Sequence, residues 1–327
     1  MSEKVKVGVV GVGAIGRNHA RIYSELENAE LVAIYDRDAE LAAQLAEEFG
    51  STAVATLDEL IGKVDAASVS TPTVTHLEVA GALLKANKDV LVEKPISDSL
   101  DNARTLVDLA HSKGRVLQVG HIERFNPVME QLETCLNQPV FIESHRLSPF
   151  PKRSLDIGVV LDLMIHDLEI ILHLVDSPVA HVDAVGVSVL THREDIANAR
   201  IRFENGCVAN ITASRISPER LRKIRVFQSD AYLSLDYQDQ SGWIYRKDGM
   251  EIVRDEVKVE KDEPLKLELA SFINCVKKGE QPKVSGQHGT AALDIAMDIT
   301  RLIEEGTAAS TAGDAATLAS DLGSSAR

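Results

Sequence analysis

The chain has 327 residues, which is enough for two domains because single domains span about 100–200 residues. Its formal net charge of −15 argues against a nucleic-acid partner, which needs a basic protein surface. Hydrophobic residues make up 44% and charged residues 26%, a composition typical of a globular protein with a substantial core.

The cellular setting follows from cysteine usage and the lack of membrane signals. Cys135, Cys207 and Cys275 lie far apart and form no CxxC pair, so neither a disulfide framework nor a zinc site is expected. The N-terminus leads straight into a strand-like run without the pattern of a signal peptide. The most apolar stretch, 157–175, contains five polar or ionisable side chains, which disfavours a membrane helix. We therefore expect a cytoplasmic protein.

Short β-rich runs alternate with helical patterns over the first ~120 residues, which predicts a parallel sheet of βαβ units. The predicted strands are 6–10, 31–35, 52–55, 66–70, 90–93 and 116–119. The predicted helices are 14–26, 39–49, 74–86 and 100–111. This pattern predicts an α/β Rossmann domain over residues 1–121.

A glycine-rich motif, Gly11-Val12-Gly13-Ala14-Ile15-Gly16, stands between the first predicted strand and helix. Gly11 permits a tight turn, Gly13 lets the backbone approach a pyrophosphate, and Gly16 allows close packing of helix and strand. The helix start at Ala14 and Ile15 offers N–H groups to phosphates. The motif in this context predicts a dinucleotide site.

The residues after the second predicted strand bear on the choice of cofactor. Asp36 follows Gly16 by 20 residues and is placed to accept hydrogen bonds from the adenosine ribose. A carboxylate there repels a 2′-phosphate, which favours NAD over NADP. The neighbouring Arg37 can accommodate that phosphate, so it opposes this preference.

The pattern changes after Gly120. It predicts a helix over 127–135, a strand over 140–146, a loop over 147–156 and an apolar helix over 159–174. Successive strands follow between 179 and 253, with turn signals at 205–206, 241–242 and 248–249, which predicts an α+β domain with an open, mostly antiparallel sheet. Helices are predicted over 264–278 and 290–304. We assign 122–306 to this second domain and 307–327, rich in Ala, Ser, Thr and Gly, to a flexible tail.

Four further motifs accompany the glycine motif. They are Glu93-Lys94-Pro95, Ser70-Thr71-Pro72-Thr73 with His76, the run 120–127 (GHIERFNP), and the run 162–167 (DLMIHD). Together they resemble the glucose–fructose oxidoreductase / inositol dehydrogenase (Gfo/Idh/MocA) family. The resemblance covers about the first 170 residues motif by motif.

The resemblance implies hydride transfer between a nicotinamide and a ring hydroxyl or ketone of a sugar or cyclitol. It also implies that the second domain binds substrate, that the active site lies between the domains, and that the sheets pack into a homodimer or homotetramer. It places Lys94 and the pair Asp162–His166 at the reacting hydroxyl. It places four residues along the cofactor cleft or beside the nicotinamide: Thr71, Pro72, His76 and Glu93.

The residue chemistry agrees with these implied roles. Lys94 follows a parallel strand, at the sheet edge where open α/β folds bind ligands. Asp162 and His166 are four residues apart and share one helix face. Histidine is suited to take the hydroxyl proton, and an ammonium group can stabilise the developing alkoxide. Glu169 and His173 continue the same face, and their spacing could suit a metal ion. We interpret them instead as part of a polar stripe along a solvated cleft, and we expect no metal.

A basic cluster precedes the predicted catalytic helix. It comprises Arg146, Lys152 and Arg153, and the segment resembles the nucleotide-sugar branch of the family. We expect these residues, together with Arg124, to bind a UDP-linked amino sugar, because arginine can grip phosphate bidentately. A solvated loop is the alternative for the cluster. An inositol or free-sugar dehydrogenase and a non-catalytic NAD-binding regulator are the alternatives for the protein.

Overall fold

The computed structural model describes residues 4–150 and 157–324. The chain forms two compact units. The first combines Met1–Thr134 with Val259–Leu293, and the second combines Cys135–Lys258 with Asp294–Arg327. The chain thus returns to the first unit, which the predicted boundary at residue 121 did not anticipate.

The first unit contains a five-stranded parallel sheet flanked by helices, as predicted. Its elements are β1 (Val5–Val10), α1 (Ala14–Glu25), β2 (Ala29–Tyr35), α2 (Ala39–Glu48), α3 (Leu57–Ile61), β3 (Ala66–Val69), α4 (His76–Lys85), β4 (Asp89–Glu93), α5 (Leu100–Lys113), β5 (Leu117–Gly120) and α6 (Pro127–Cys135). Short 3-10 turns cover Thr73–Thr75 and Ile122–Phe125. The strand order is β2-β1-β3-β4-β5, that of a Rossmann half.

The strand predicted over 52–55 is wrong. Its only ladder contact is an isolated bridge between Ile34 and Ala53. The extended run ends at Thr56, whose side chain accepts a hydrogen bond from the Glu59 N–H and caps α3. The helix cap therefore stops the segment from becoming a sixth strand.

Helix α8 (Pro264–Lys278) has the predicted bounds, but it belongs to the first unit rather than to the second domain. Its apolar face buries Leu265, Leu269, Phe272 and Ile273 in the core formed by β1, β2 and α1. An amphipathic pattern predicts that a helix has a buried face without identifying the partner, and this is why the sequence misplaced it.

The second unit contains an eight-stranded, mostly antiparallel sheet, as predicted. Its strands are β6 (Pro139–Leu147), β7 (Val179–Val187), β8 (Ile196–Phe203), β9 (Val208–Ser214), β10 (Leu221–Gln228), β11 (Ala231–Asp236), β12 (Ser241–Asp248) and β13 (Glu251–Glu256). The order is β13-β12-β11-β10-β6-β9-β8-β7, and only β6 and β9 pair in parallel. Gly206 and Gly249 have φ of +87° and +59° and form two of the predicted turns. The third predicted turn is wrong, because 241–242 begins β12 and the chain turns at Gln240.

The predicted apolar helix consists of a π-helical turn, Val160–Met164, followed by α7 (Ile165–Val175). Helix α9 (Gly286–Ser324) starts earlier than predicted and continues through most of the residues assigned to a flexible tail. The alanine-rich composition of that stretch favours helix, which the sequence interpretation underweighted. Among the described residues, no helix is both long and apolar enough to cross a membrane.

Candidate active site

The glycine-rich loop joins β1 to α1, and its three glycines differ in the space around them. Gly11 has φ of +84°, and a Cβ atom there would lie 2.9 Å from the carbonyl group of Ser70. A Cβ atom at Gly16 would overlap the carbonyl oxygen of Gly11. At Gly13 a Cβ atom would meet nothing within 4 Å. Gly11 and Gly16 therefore serve the packing of the loop, whereas Gly13 faces open space.

The start of α1 is suited to bind an anion. Gly13 is the N-cap residue and provides no side-chain cap, and the first turn carries no acidic residue. Ala14 and Ile15 are exposed. The first N–H groups of a helix lack intrahelical partners and carry partial positive charge, so this end is chemically matched to a phosphate.

Asp36 contacts the glycine-rich loop directly, in addition to its predicted position after β2. Its Oδ2 accepts a hydrogen bond from the Val12 N–H at 2.6 Å, and its Oδ1 accepts one from the Asp38 N–H at 2.9 Å. A carboxylate has further lone pairs, so these bonds still allow it to accept from a ribose hydroxyl. Arg37 is exposed. Asp36 thus shapes the glycine-rich loop through the Val12 N–H.

The end of β4 carries Glu93 and Lys94. Glu93 Oε1 lies 3.0 Å from Nε2 of His19, a fully buried residue of α1. Glu93 Oε2 accepts a hydrogen bond from the Lys94 N–H at 3.3 Å, and a Cβ atom at Gly120 would lie 2.8 Å from the same oxygen. Contacts with α1 and the close approach of β5 therefore hold the Glu93 carboxylate, and Lys94 follows it partly exposed.

His76 connects the ends of β3 and β4. Its Nδ1 lies 3.1 Å from the carbonyl oxygen of Pro95, and its Nε2 lies 2.9 Å from that of Thr71. Burial lowers the pKa of His76, although its hydrogen bonds to carbonyl oxygens oppose this. Thr71 is half-buried and Pro72 is exposed. The imidazole braces the two strand ends on which the predicted cofactor cleft depends.

His121 is a residue of this sheet edge to which the sequence assigned no role. It follows β5 as Lys94 follows β4, and it is 1% exposed. Burial, together with the positive charges of Lys94, Arg124 and His288, lowers its pKa to about 3. His121 is therefore neutral at physiological pH and lies within electrostatic reach of Lys94. Its place directly after a parallel strand was the available signal.

In the second unit, Asp162 lies in the π-helical turn and His166 in the first turn of α7. Both side chains are half-buried, whereas the flanking Met164, Ile165 and Asp167 are buried. π-helical turns within helices occur frequently at functional sites.

A buried polar network holds the start of this helical segment. The Val159 N–H donates to the Glu194 carbonyl at 3.0 Å, and the Val160 N–H donates to Glu194 Oε1 at 3.3 Å. Arg215 is fully buried and donates to the carbonyl of Ile157 at 2.5 Å. These contacts fix the backbone just before Asp162, and spacing in the sequence gave no sign of them.

Arg146 corrects the expectation of an accessible cationic cluster. It lies within β6, is 3% exposed, and its Nε donates to Asp167 Oδ2 at 2.6 Å. Its guanidinium is therefore committed to a buried carboxylate, which could not be foreseen from a basic run in the sequence. Lys152 and Arg153 lie outside the described residues.

Arg124 lines a pocket of about 350 Å³ within the first unit, with Asn126, Glu130, Lys261 and Lys283 among its other lining residues. Arg124 itself is 2% exposed, and its Nη2 lies 3.9 Å from Glu133 Oε1. Acidic and basic groups alternate around this pocket, so it has no clear preference for an anion.

Potential metal ligands are not grouped in the part of the chain that the structure describes. Within residues 4–150 and 157–324, no group of three or more His, Cys, Asp or Glu side chains is arranged to hold a metal ion. Glu169, which had metal-ligand spacing in the sequence, is 2% exposed and lies on the buried side of α7.

Both parts of the chain match domains of one protein family. The oxidoreductase family with an NAD-binding Rossmann fold matches residues 5–121, which makes the first unit a nicotinamide-nucleotide domain. The GFO/IDH/MocA C-terminal domain matches residues 135–234. The chain therefore belongs to the Gfo/Idh/MocA family of oxidoreductases, and the resemblance drawn from its motifs is confirmed.

Relatives match over nearly the whole chain. A UDP-N-acetylglucosamine 3-dehydrogenase of Acidithiobacillus ferrooxidans is 36% identical over 307 residues, covering 92% of this chain and 97% of that protein. Its solved structure has a TM-score of 0.89 at 35% identity, covering 93% of this chain and 99% of that chain. A myo-inositol 2-dehydrogenase of Thermotoga maritima is 29% identical over 332 residues, covering 92% and 97%.

Proposed function

We propose that this protein transfers hydride between NAD and a ring hydroxyl or ketone of a UDP-linked amino sugar. The observation that carries the proposal is the 36% identity to a UDP-N-acetylglucosamine 3-dehydrogenase over 92% of the chain. The open space at Gly13 and the uncapped start of α1 support the cofactor side of the proposal.

The cofactor would be held by the glycine-rich loop, and its nicotinamide supplies the hydride acceptor or donor. Phosphates would meet the N–H groups of Ala14 and Ile15, and Asp36 would accept from the adenosine ribose. The carboxylate of Asp36 favours NAD over NADP, and the exposed Arg37 is the residue that opposes this preference. Glu93, Thr71, Pro72 and His76 remain predicted cofactor-site residues.

In the direction of oxidation, His166 would take the proton of the substrate hydroxyl as hydride leaves the same carbon. Asp162 would orient the imidazole and stabilise its charged form. The Lys94 ammonium would stabilise the negative charge that develops on the oxygen. A non-catalytic regulator is the weaker alternative, because such a protein has no need of these three groups together.

The diphosphate of the substrate would be bound by Lys152 and Arg153. This remains a prediction from the sequence. Arg146 is no longer included, because its guanidinium binds the buried Asp167. Replacing Arg153 by Ala should raise KM for the UDP-sugar about tenfold or more while leaving free-sugar kinetics unchanged, because one charge-assisted contact contributes ~1.5–3 kcal/mol. Equal losses on both substrates would assign Arg153 a structural role.

An inositol dehydrogenase is the second candidate function, and the 29% identity to a myo-inositol 2-dehydrogenase over 92% of the chain favours it. A turnover panel separates the two. Formation of NADH is followed at 340 nm with UDP-N-acetylglucosamine, N-acetylglucosamine and inositols, each with NAD and with NADP. We expect much faster turnover with the UDP-sugar than with N-acetylglucosamine or the inositols, and faster turnover with NAD than with NADP. Faster turnover of an inositol would overturn the substrate assignment, and faster turnover with NADP the cofactor assignment.

The catalytic roles are tested by Lys94→Ala and His166→Ala. Each should lower kcat by about 10²–10⁴-fold and leave the Kd of NAD within a few-fold of the wild-type value. The matched control is His181→Ala, since His181 is an exposed residue of β7 paired with Asp183. Wild-type turnover by a folded Lys94→Ala or His166→Ala protein would refute the assignment of that residue.

A homodimer or homotetramer formed through the eight-stranded sheet is also proposed. One sheet face carries a row of half-buried aromatic rings, with centroids 5.5 Å apart for Phe141 and Phe227, 4.6 Å for Phe227 and Tyr232, and 5.1 Å for Tyr232 and Tyr245. Large aromatic side chains are enriched at protein interfaces. Light scattering after gel filtration gives the assembly size, and a monomer at micromolar concentration would refute the proposed oligomer.

We also propose a cytoplasmic location. The three free thiols support it, because disulfides are rare in reducing compartments.

A further inference from the structure

A buried polar cluster joins β6 to α7 beside the proposed base. Arg146 Nε donates to Asp167 Oδ2 at 2.6 Å, and Ser144 Oγ donates to Asp167 Oδ1 at 2.8 Å. Arg146 Nη2 lies 3.5 Å from the same Oδ1. All three residues are at most 3% exposed. Ser144 and Arg146 are two residues apart on one face of the strand, and Asp167 directly follows His166.

A second set of contacts holds the same helical segment at its start. The N–H groups of Val159 and Val160 donate to the backbone carbonyl and the side chain of Glu194. Contacts at its start restrict small rotations of a helix about its axis less than directional contacts further along it do. Directional bonds from Asp167 to two side chains of β6 remove that rotation.

Such a cluster is poorly explained as a source of stability. Replacing a buried ion pair by apolar residues of similar volume is often neutral or stabilising, because desolvation of the charges offsets their attraction. What directional hydrogen bonds add over apolar packing is a fixed geometry.

We propose that Ser144, Arg146 and Asp167, the positioning cluster, set the rotation of α7 and thereby the position of the His166 imidazole. This inference rests on the proposed function, in which His166 is the base. It gives Arg146 a positioning role, in place of the contact with a substrate diphosphate that the sequence suggested.

The expected effect follows from helix geometry. Side-chain atoms of an α-helix lie about 5–6 Å from its axis, so a rotation of about 10° displaces them by about 1 Å. A misplacement of about 1 Å at a reacting group can lower the rate about 10²-fold. Because the cluster touches neither substrate nor cofactor in this proposal, the loss belongs in kcat rather than in KM.

The test uses the full-length protein and a variant without buried unpaired charge, Arg146→Met/Asp167→Leu. Rates with the best wild-type substrate are normalised to the concentration of sites that bind NADH. We expect kcat to fall about 10–100-fold and KM to change less than about threefold. The matched control, Arg246→Met/Asp255→Leu, removes an exposed ion pair of β12 and β13 and should retain wild-type kcat.

Two further variants keep the test decisive if the double variant fails to fold. Ser144→Ala removes one hydrogen bond of the positioning cluster and should lower kcat several-fold. Arg146→Lys keeps the positive charge and should retain more of the wild-type kcat than Arg146→Met. Wild-type kcat in folded Ser144→Ala would overturn the proposal, as would a tenfold rise in KM with unchanged kcat in the Arg146 variants.

A cycle with His166→Ala separates this proposal from the proposed function. Once the imidazole is gone there is nothing left to position, so Arg146→Met/Asp167→Leu should not lower the residual rate further. The same fractional loss in both backgrounds would make the cluster merely structural and overturn the proposal. Wild-type turnover by His166→Ala alone would instead refute the proposed function.

Discussion

The two sheets of this protein place their polar residues in different ways. In the five-stranded parallel sheet, the residues proposed for the cofactor site follow the carboxyl ends of strands, as Asp36 follows β2 and Lys94 follows β4. In the eight-stranded sheet, Arg146 of β6 forms an ion pair with Asp167 of helix α7. The first arrangement is local in the chain, whereas the second joins residues that only tertiary packing brings together.

This difference teaches where a motif is informative. A parallel strand that ends in a turn delivers its next residue to the ligand-binding edge, so the position in the sequence predicts the place in the fold. A charged residue inside an antiparallel strand can face solvent, a subunit or a helix.

Two substitutions in the glycine-rich loop should distinguish a residue needed for packing, Gly16, from one needed for cofactor binding, Gly13. Gly16→Ala forces a Cβ atom into the carbonyl oxygen of Gly11, so we expect a loss of more than about 4 kcal/mol in unfolding free energy, or no folded protein. At Gly13 a Cβ atom has open space, so Gly13→Ala should fold with a loss below about 1 kcal/mol.

Gly13→Ala, which should change stability little, should weaken cofactor binding strongly. The Kd of NAD for Gly13→Ala should rise about tenfold or more, because in the proposed cofactor site the added methyl group would stand where the pyrophosphate approaches. Urea unfolding and NADH fluorescence titration measure the two quantities. Unchanged affinity in Gly13→Ala would show that the loop holds the cofactor elsewhere.

The buried Arg215 should contribute more to the free energy of unfolding than an exposed arginine in a surface ion pair. Arg215→Met leaves the carbonyl groups of Ile157 and Glu194 without this donor and Asp195 without its cation, at a cost of about 3 kcal/mol. Arg246→Met removes an exposed pair and should cost below about 1 kcal/mol. Equal midpoints of urea unfolding for the two variants would contradict this ranking.

The free energy of unfolding should depend on pH through the buried His121. Its folded-state pKa of about 3 lies below the ordinary value, so the unfolded chain binds the extra proton between about pH 3 and 6.5. Stability from this residue is complete above pH 6.5 and is lost as the pH falls. Between pH 7 and pH 5 the loss amounts to about 2 kcal/mol.

Replacing His121 by Gln removes that titration, so the variant should lose about 2 kcal/mol less than wild type over the same pH range. Unfolding free energies from urea titrations at both pH values give the comparison. The exposed His181→Gln serves as control and should follow the wild-type pH dependence. A wild-type slope in His121→Gln would assign the acid sensitivity to other groups.

Much of the fold was predictable from the sequence because its signals are periodic. Alternation of strand and helix predicted the parallel sheet, and the bounds of α6 and α8 agree with their patterns. What could not be predicted is which core an amphipathic helix joins, and so α8 was placed in the wrong domain. For the same reason the basic run at Arg146 suggested an anion site, although its buried partner lies 21 residues further along the chain.

The π-helical turn at Val160–Met164 has a consequence for how this segment can evolve. A π turn holds one residue more than an α turn, so loss of one residue there would let the segment relax to regular α-helix with the flanking residues kept in phase. A deletion between Val159 and Asp162 would then retain the direction of the His166 side chain. The same deletion within α7, where successive residues are about 100° apart, would rotate one part of the helix against the other. Among relatives the number of residues should therefore vary more readily at the π turn than within α7.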